Sequence, residues 1–302
     1  MPFLMAVASS VLYGIADFLG GMGARRGPVL AITAWFQVAG VLPLVFYSVL
    51  TPGTPAPADL AWGGAAGAAG GTGVLLLYHA LATGVVSTAA PLISMIALTV
   101  PVIFGIALGE RPGWVPLAGI FLGCVAVVLI SAQSDGHGSG ADGAGAARAL
   151  PAEAQPGHGA PRPRASPPAA LATAAASGVL IGLFLVFLAR VEAGSGGWPL
   201  VMGRGVATVL TFALLLARRV PVRPPATTHA FIAGGAVCDV SANVFYLLAV
   251  QRAPMSLIAT LVSLAPATTV VLAQLVLRER LGTAQRWGVA LALVAVVMLS
   301  RG

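Results

Sequence analysis

Three polar side chains recur along one apolar stretch in the second half of the chain. Asp239, Asn243 and Tyr246 follow one another at i, i+4 and i+7, so in a helix they share one face. They supply a carboxylate, a phenol and the carboxamide of the only Asn in the protein. If this face borders a cavity, the pattern predicts a binding site for a small polar or zwitterionic molecule.

A second polar stripe lies near the amino terminus. Ser10, Tyr13 and Asp17 are spaced i, i+3 and i+7 and also fall on one helical face. We predict that Tyr13 and Asp17 line the same cavity as the first stripe. The alternative is structural: Asp17 and Asp239 would pair with Arg204 or cap neighbouring backbone groups inside the protein.

Other polar residues lie within apolar surroundings. Arg204 stands seven residues into its segment, too deep for its charge to reach a membrane surface easily, so we expect it to pair with an aspartate or to anchor an anionic substrate group. His79 is interpreted as an interfacial polar residue or as a titrating gate. Gln37 and Gln274 are predicted to form hydrogen bonds between helices rather than to bind substrate.

The chain that must position these residues is strongly apolar. Of its 302 residues 58% are apolar and 8% charged, and its mean hydropathy is +0.95. In soluble domains about a quarter of the residues are charged, so this composition indicates a protein that lies in a lipid bilayer. The net charge of +7 comes from dispersed arginines that form no basic stripe, and we therefore expect no nucleic-acid partner.

Ten apolar segments are each long enough to cross about 30 Å of hydrocarbon as a helix. They cover residues 3–22, 31–50, 60–82, 86–108, 114–132, 169–189, 198–217, 229–250, 255–277 and 284–300. None alternates with period two as a barrel strand would. The sequence therefore predicts an all-α membrane protein with ten transmembrane helices, multi-pass in the cell membrane.

An internal repeat divides these helices into two groups of five. Residues 133–168 are rich in Gly, Ala and Pro and are predicted to be a flexible linker between repeats at 1–132 and 169–302. The repeat rests on several matches: Glu110-Arg111 with Glu279-Arg280, Gly119 with Gly288, Ser87 with Ser256, Gly14 with Gly182, Ser9 with Ser177 and Tyr78 with Tyr246. Because five crossings are an odd number, the second repeat must be inverted relative to the first, a plan typical of secondary transporters.

Prolines and small residues suggest how the helices bend and pack. Pro101 and Pro266 lie inside the predicted fourth and ninth helices, and each removes a helical hydrogen bond and is expected to kink its helix. The kinks are interpreted as hinges of a moving protein or as ordinary prolines of membrane helices. The G-x-x-x-G series of residues 63–71 predicts close helix packing.

Three stretches of the sequence resemble a known family. Residues 107–131 and 265–300 each contain an E-R dipeptide followed by a short loop and a Gly-bearing last helix, and residues 9–26 read SSVLYGIADFLGGMGARR, with Tyr13 where Trp is usual. These stretches resemble EamA-type members of the drug/metabolite transporter superfamily. The resemblance implies two inverted five-helix repeats and transport of small metabolites. The first repeat has Ala97 where the family's proline is common.

We therefore expect a secondary transporter that moves a small metabolite or drug-like molecule by alternating access, with the substrate bound by Tyr13, Asp17, Arg204, Asp239, Asn243 and Tyr246. The sequence contains no nucleotide-binding motif G-x-x-x-x-G-K-[ST], so we expect a proton gradient, a substrate gradient or plain facilitation rather than ATP to drive transport. Because an aspartate in a cavity of low dielectric can bind a proton near neutral pH, protons are the candidate coupling ions, through Asp17 or Asp239. The alternatives are an intramembrane enzyme and a non-transporting membrane sensor or scaffold. We expect no catalytic residue, metal site or cofactor. The sequence carries no signal for an oligomeric state.

The arginines also predict an orientation. Most of those outside the apolar segments fall in the loops on the side opposite the two termini. Because such loops face the cytoplasm, the termini are predicted to lie outside.

Overall fold

The computed structural model describes residues 1–51, 53–82, 86–131, 167–278 and 281–301. Within these ranges the chain forms helices and turns and no strand. The helices are α1 (Pro2–Ala24), α2 (Val29–Leu50), α3 (Pro57–Ala82), α4 (Val86–Ala107), α5 (Trp114–Ser131), α6 (Pro167–Ala189), α7 (Trp198–Ala217), α8 (His229–Val250), α9 (Met255–Val262), α10 (Ala265–Leu277) and α11 (Thr283–Leu299). The predicted all-helical fold is confirmed.

The outer surface of the bundle is suited to lipid. Large apolar side chains point outward along it, among them Leu42 (77% exposed), Phe121 (68%) and Trp287 (65%). Such exposure is costly in water and costs nothing against acyl chains. In the described part of the chain, nine helical spans are long and apolar enough to cross a membrane, with α9 and α10 counted as one, and α11 adds a shorter apolar helix of 17 residues.

The two halves make equivalent contacts. Ser9 on α1 donates a hydrogen bond to the carbonyl oxygen of Ala242 on α8, and the matching Ser177 on α6 donates one to the carbonyl oxygen of Gly73 on α3. Both bonds measure 2.8 Å. The helix pair α1 and α8 therefore corresponds to the pair α6 and α3, as expected for a structural repeat.

Helix directions show that the repeats are inverted. Gly63, Gly67 and Gly71 of α3 meet Pro199, Gly203 and Ala207 of α7 in the same order, so α3 and α7 are parallel. On its other side α3 runs antiparallel to α6, because Gly70 lies against Phe184 and Gly73 against Ile181. Helices α1 and α3 share one direction, being separated by one antiparallel helix. The first helix of the second repeat therefore runs opposite to the first helix of the chain.

The glycine series in α3 packs as the sequence predicts. A Cβ at Gly63 would lie 2.6 Å from the carbonyl carbon of Pro199, and one at Gly67 would lie 2.6 Å from the Cα of Gly203. Real Cβ atoms do not approach so closely. The missing side chains thus allow α3 and α7 to meet backbone to backbone.

The ninth predicted segment differs from the expected single helix. It consists of α9 and α10, separated by Ser263 and Leu264, and Pro266 lies in the first turn of α10. A proline is tolerated there because the first helical N–H groups have no intrahelical acceptor. Pro101 instead lies inside the continuous helix α4. The two prolines are therefore not equivalent, and their role as hinges stays a prediction.

Some predictions concern residues that the structure does not describe. The predicted linker 133–168 lies outside the described residues except for its last two, which already belong to α6. Glu279 and Arg280 also lie outside, as do the side chains of Tyr78 and Ser87. The exact repeat boundaries and the side of the membrane that carries the termini stay predictions.

Candidate functional site

A cavity of about 400 Å³ lies between the two repeats. It is lined by α1, α2 and α3 of the first repeat and by α6, α7 and α8 of the second, so each repeat contributes its first three helices. Glycine, alanine and larger apolar residues make up most of the wall. Its volume falls within the range of about 300–1,000 Å³ found for small-molecule sites.

The wall contains a network centred on Arg204. Its Nη2 lies 2.5 Å from Oδ2 of Asp239 on α8, and its Nη1 donates a hydrogen bond of 2.5 Å to Oε1 of Gln37 on α2. The Arg204 and Asp239 side chains are 11% and 19% exposed. The Nδ2 of Asn243 donates a hydrogen bond of 2.7 Å to the backbone carbonyl oxygen of Asp239 and lies 3.3 Å from Oδ2 of the same residue.

This network joins three helices across the repeat boundary. Arg204 is the partner of an aspartate, one of the two roles expected for it. The prediction that Gln37 bonds between helices is confirmed. Gln274, for which the same was expected, is instead exposed on α10.

Space for the guanidinium group is provided by Gly40 on α2. A Cβ at this position would lie 2.7 Å from Nε and 2.8 Å from Cζ of Arg204. Gly40 therefore lets Arg204 lie against the backbone of α2. Sequence reasoning missed it, since one glycine among 38 carries no distinguishing signal.

The second polar stripe, on α1, also reaches the cavity. Asp17 lines it and is exposed, and within the described chain its carboxylate accepts no hydrogen bond and forms no salt bridge. Tyr13 lines it one turn earlier. Its hydroxyl oxygen is buried and has no hydrogen-bond partner among the described residues. The structure thus brings Tyr13, Asp17, Arg204, Asp239 and Asn243 to one cavity.

Two of the candidate residues lie elsewhere. Tyr246 is fully buried, and its hydroxyl donates a 2.8 Å hydrogen bond to the carbonyl oxygen of Leu185 on α6. It ties α8 to α6 and is absent from the cavity wall. His79 is exposed near the end of α3 and also does not line the cavity. Substrate contact by Tyr246 and gating by His79 stay predictions.

One end of the bundle contains a buried carboxylate that is bonded to the opposite repeat. Asp59, in the first turn of α3, is 4% exposed. Its Oδ2 accepts hydrogen bonds from the Ser195 hydroxyl at 2.7 Å and the Ala56 N–H at 3.2 Å, and its Oδ1 accepts one from the Glu192 N–H at 3.0 Å. These four residues, called the Asp59 cluster below, join the start of α3 to the loop between α6 and α7.

The cavity extends toward the opposite end. It reaches Ala24 and Val29, the last residue of α1 and the first of α2. Residues of the Asp59 cluster do not contribute to its wall. At the Asp59 end the cavity wall includes Gly63 of α3, Leu188 of α6 and Leu200 of α7, so the cavity extends close to both ends of the bundle.

Sequence reasoning missed several residues of this region. Asp59 was passed over because it stands at the margin of an apolar segment, where a charged residue is ordinary. Phe36 and Phe184, which line the cavity, were indistinguishable from the many apolar residues facing lipid. The described residues include no group of three or more His, Cys, Asp or Glu that could hold a metal ion.

Comparison with known proteins identifies the family. The sequence matches the EamA-like transporter family over residues 1–132 and 168–301. The chain belongs to this family. It is accordingly a multi-pass integral membrane protein. The two matched blocks leave out residues 133–167, nearly the whole of the predicted linker.

A solved crystal structure is similar in fold. It superposes with a TM-score of 0.71 at 17% identity, covering 98% of this chain and 95% of the other. At that identity the similarity supports the fold alone. No curated protein matches the sequence.

Proposed function

We propose that this EamA-family protein is a secondary transporter that moves a small metabolite or drug-like molecule by alternating access. The observation that carries the proposal is the cavity between the inverted repeats, lined by the same three helices of each. Transporters of inverted-repeat design bind substrate at the repeat interface and move the two halves around it. An intramembrane enzyme or a sensor has no comparable support from the cavity or from the family.

The proposed mechanism uses the difference between the two ends. At the Asp59 end, the Ser195 hydroxyl and the Glu192 N–H, both of the second repeat, donate hydrogen bonds to the Asp59 carboxylate of the first repeat and would hold this end closed. At the other end the Trp35 indole N–H donates a 2.7 Å hydrogen bond to the Val222 carbonyl oxygen, and the Arg26 guanidinium lies 4.6 Å from the Phe231 ring centroid. Transport would require the Asp59 cluster to separate while the opposite end closes over the substrate.

The cavity favours an amphipathic substrate. Most of its wall is apolar, with Phe36 and Phe184 among its larger side chains, and its polar groups lie on α1, α2, α7 and α8. An apolar body would displace water from the wall, and polar groups would orient it. This combination suits a small metabolite with one charged or hydrogen-bonding part.

Cross-linking tests the mechanism directly. Cys124 and Cys238 are replaced by Ala, and Asp59→Cys and Ser195→Cys are introduced, because these two side chains are in contact. A short reducible bis-methanethiosulfonate linker should then hold this end closed. We expect uptake of a metabolite panel into proteoliposomes to stop on cross-linking and to return after reduction.

The single-cysteine variants, treated with the same linker, serve as controls. They should keep their flux, since no bridge forms. Undiminished flux in the cross-linked double variant would contradict opening at the Asp59 end. No flux for any member of a broad panel would argue against transport itself.

Proton coupling is proposed through Asp17 or Asp239, the two acidic residues in the cavity wall. The test compares flux with and without a pH gradient for the wild type and for Asp239→Asn. If Asp239 carries the proton, the gradient should accelerate only the wild type. An unchanged gradient dependence would remove Asp239 from that role.

A further inference from the structure

The charged groups of the cavity wall do not balance. They are Asp17, Asp239 and Arg204. The guanidinium of Arg204 is compensated by the Asp239 carboxylate at 2.5 Å. Asp17 has neither a cationic partner nor a hydrogen-bond donor within the described chain. One uncompensated carboxylate therefore faces the cavity.

We propose that the transported molecule is a small organic cation with an aromatic or apolar body, and that Asp17 is its counter-charge. This inference rests on the proposed transport function and names the substrate class of the same cavity. The Asp17 carboxylate is exposed in the cavity without a partner, so an incoming cation would supply the opposite charge that this part of the wall lacks.

The surroundings of Asp17 fit this class of molecule. Tyr13, one turn earlier on α1, has a buried hydroxyl oxygen that can accept a hydrogen bond from an ammonium group. Phe36 and Phe184 add aromatic rings to the same wall. Aromatic faces attract cations, and more strongly when water is excluded. Carboxylate, phenol and aromatic rings together favour a cation with an apolar body.

An anionic substrate fits the same wall poorly. Arg204 is its one cationic group, and two nitrogens of that guanidinium are already bonded to Asp239 and Gln37. An anion would have to separate Arg204 from Asp239 and leave that carboxylate without its partner. It would also enter a cavity with excess negative charge. The network around Arg204 is therefore interpreted as part of the framework of the site.

The test measures binding to the purified full-length protein in detergent by isothermal titration calorimetry. Three probes share one phenyl ring and differ in charge: benzylammonium, benzyl alcohol and benzenesulfonate. We expect the wild type to bind the cation most tightly. Asp17→Asn should raise the Kd of the cation at least about tenfold, which corresponds to about 1.4 kcal/mol, and leave benzyl alcohol unchanged.

Two variants control for charge and for position. Asp17→Glu keeps the carboxylate and should retain most of the cation affinity. Glu153→Gln removes a negative charge from residues 133–167, which the family match leaves out, and should leave the Kd unchanged. Thermal unfolding checks that each variant is folded. If Asp17→Asn does not fold, the preference of the wild type among the three probes decides the question.

Several results would overturn the proposal. They are tighter binding of benzyl alcohol or benzenesulfonate than of the cation, no binding of the cation by the wild type, or an unchanged cation Kd in Asp17→Asn. Proteoliposome flux separates this proposal from the transport function. Flux of anions or neutral molecules without flux of cations would refute the cation site and keep transport. Cation binding that depends on Asp17, without any flux, would refute transport and keep the cation site.

Discussion

Replacing Asp239 by Asn tests the network that joins the repeats. The change keeps the size of the side chain but leaves the Arg204 guanidinium beside a neutral amide. Two unit charges about 4 Å apart interact by about 4 kcal/mol at an effective dielectric constant of about 20. Breaking a buried ion pair by removing one partner costs about 3–5 kcal/mol.

The structure places this pair at the lower end of that range. The Arg204 and Asp239 side chains are 11% and 19% exposed and border a cavity, so water can replace part of the lost interaction. Gln37 also continues to accept a hydrogen bond from the guanidinium. We therefore expect Asp239→Asn to lower the free energy of unfolding by about 3 kcal/mol.

A double-mutant cycle separates the pair from other effects of the substitution. Unfolding by SDS in mixed micelles, followed by tryptophan fluorescence, gives the free energies for Asp239→Asn, Arg204→Gln and the double variant. The coupling energy should be about 2 kcal/mol, because in the double variant neither charge is left alone. Asp17→Asn is the matched control: it removes a carboxylate from the same wall, but one without a partner, and should change stability by less than about 0.5 kcal/mol.

Two outcomes would refute this reasoning. One is a loss below about 0.5 kcal/mol in Asp239→Asn, which would mean that Arg204 is fully solvated or has another acceptor. The other is additivity of the two single substitutions. If Asp17→Asn and Asp239→Asn lowered the free energy of unfolding equally, the assignment of an ionic partner to Asp239 and not to Asp17 would be wrong.

Three further changes test other contacts. Gly67→Ala places a Cβ 2.6 Å from the Cα of Gly203 on α7 and closer still to its carbonyl group, and should lower the free energy of unfolding in SDS by about 1–3 kcal/mol. Gly205→Ala, with no atom within 4 Å, should be nearly neutral. Tyr246→Phe removes one hydrogen bond to α6 and should cost about 1 kcal/mol without changing substrate affinity in the transport assay; a rise in KM would instead support direct contact. Asp59→Asn should weaken the closed end and expose position 195. In the Ser195→Cys variant, maleimide should therefore label the cysteine faster when Asp59→Asn is also present than when Asp59 is intact. Equal labelling rates would contradict closure by the Asp59 cluster.

The helices were predictable because lipid imposes simple rules. A crossing segment must be apolar and must pair its backbone internally, so composition and length determine most boundaries. The segment predicted at 198–217 coincides with α7, and that at 229–250 with α8. The break before Pro266 was not predictable in this way. Proline fits the interior of α4 and the first turn of α10 equally well by composition, and only the surrounding packing decides between a bend and an end.

Spacing on a helix predicted the polar site only over a short length. Asp239 and Asn243 are one turn apart and both reach the cavity. Tyr246 shares their face, but at about 1.5 Å per residue it lies about 10 Å from Asp239 along the axis, where α8 meets α6. The sequence predicts which side chains share a helical face. It does not predict which of them reach the cavity, because that depends on where the cavity ends along the helix axis.

The two repeats are matched in their packing but not at their ends. Ser9 and Ser177 make the same bond, yet the residue that matches Asp59 at the repeat spacing is Thr228, before the first turn of α8. The Thr228 hydroxyl donates to the Pro225 carbonyl oxygen at 2.6 Å within its own turn, so it does not join the repeats as Asp59 does. If the two ends of the bundle were equivalent, the two inverted repeats would have no preference for opening at one end over the other. A carboxylate bonded to the opposite repeat occurs at one described end and a locally bonded threonine at the other, so under the proposed mechanism Asp59 would favour the form that is closed at its own end.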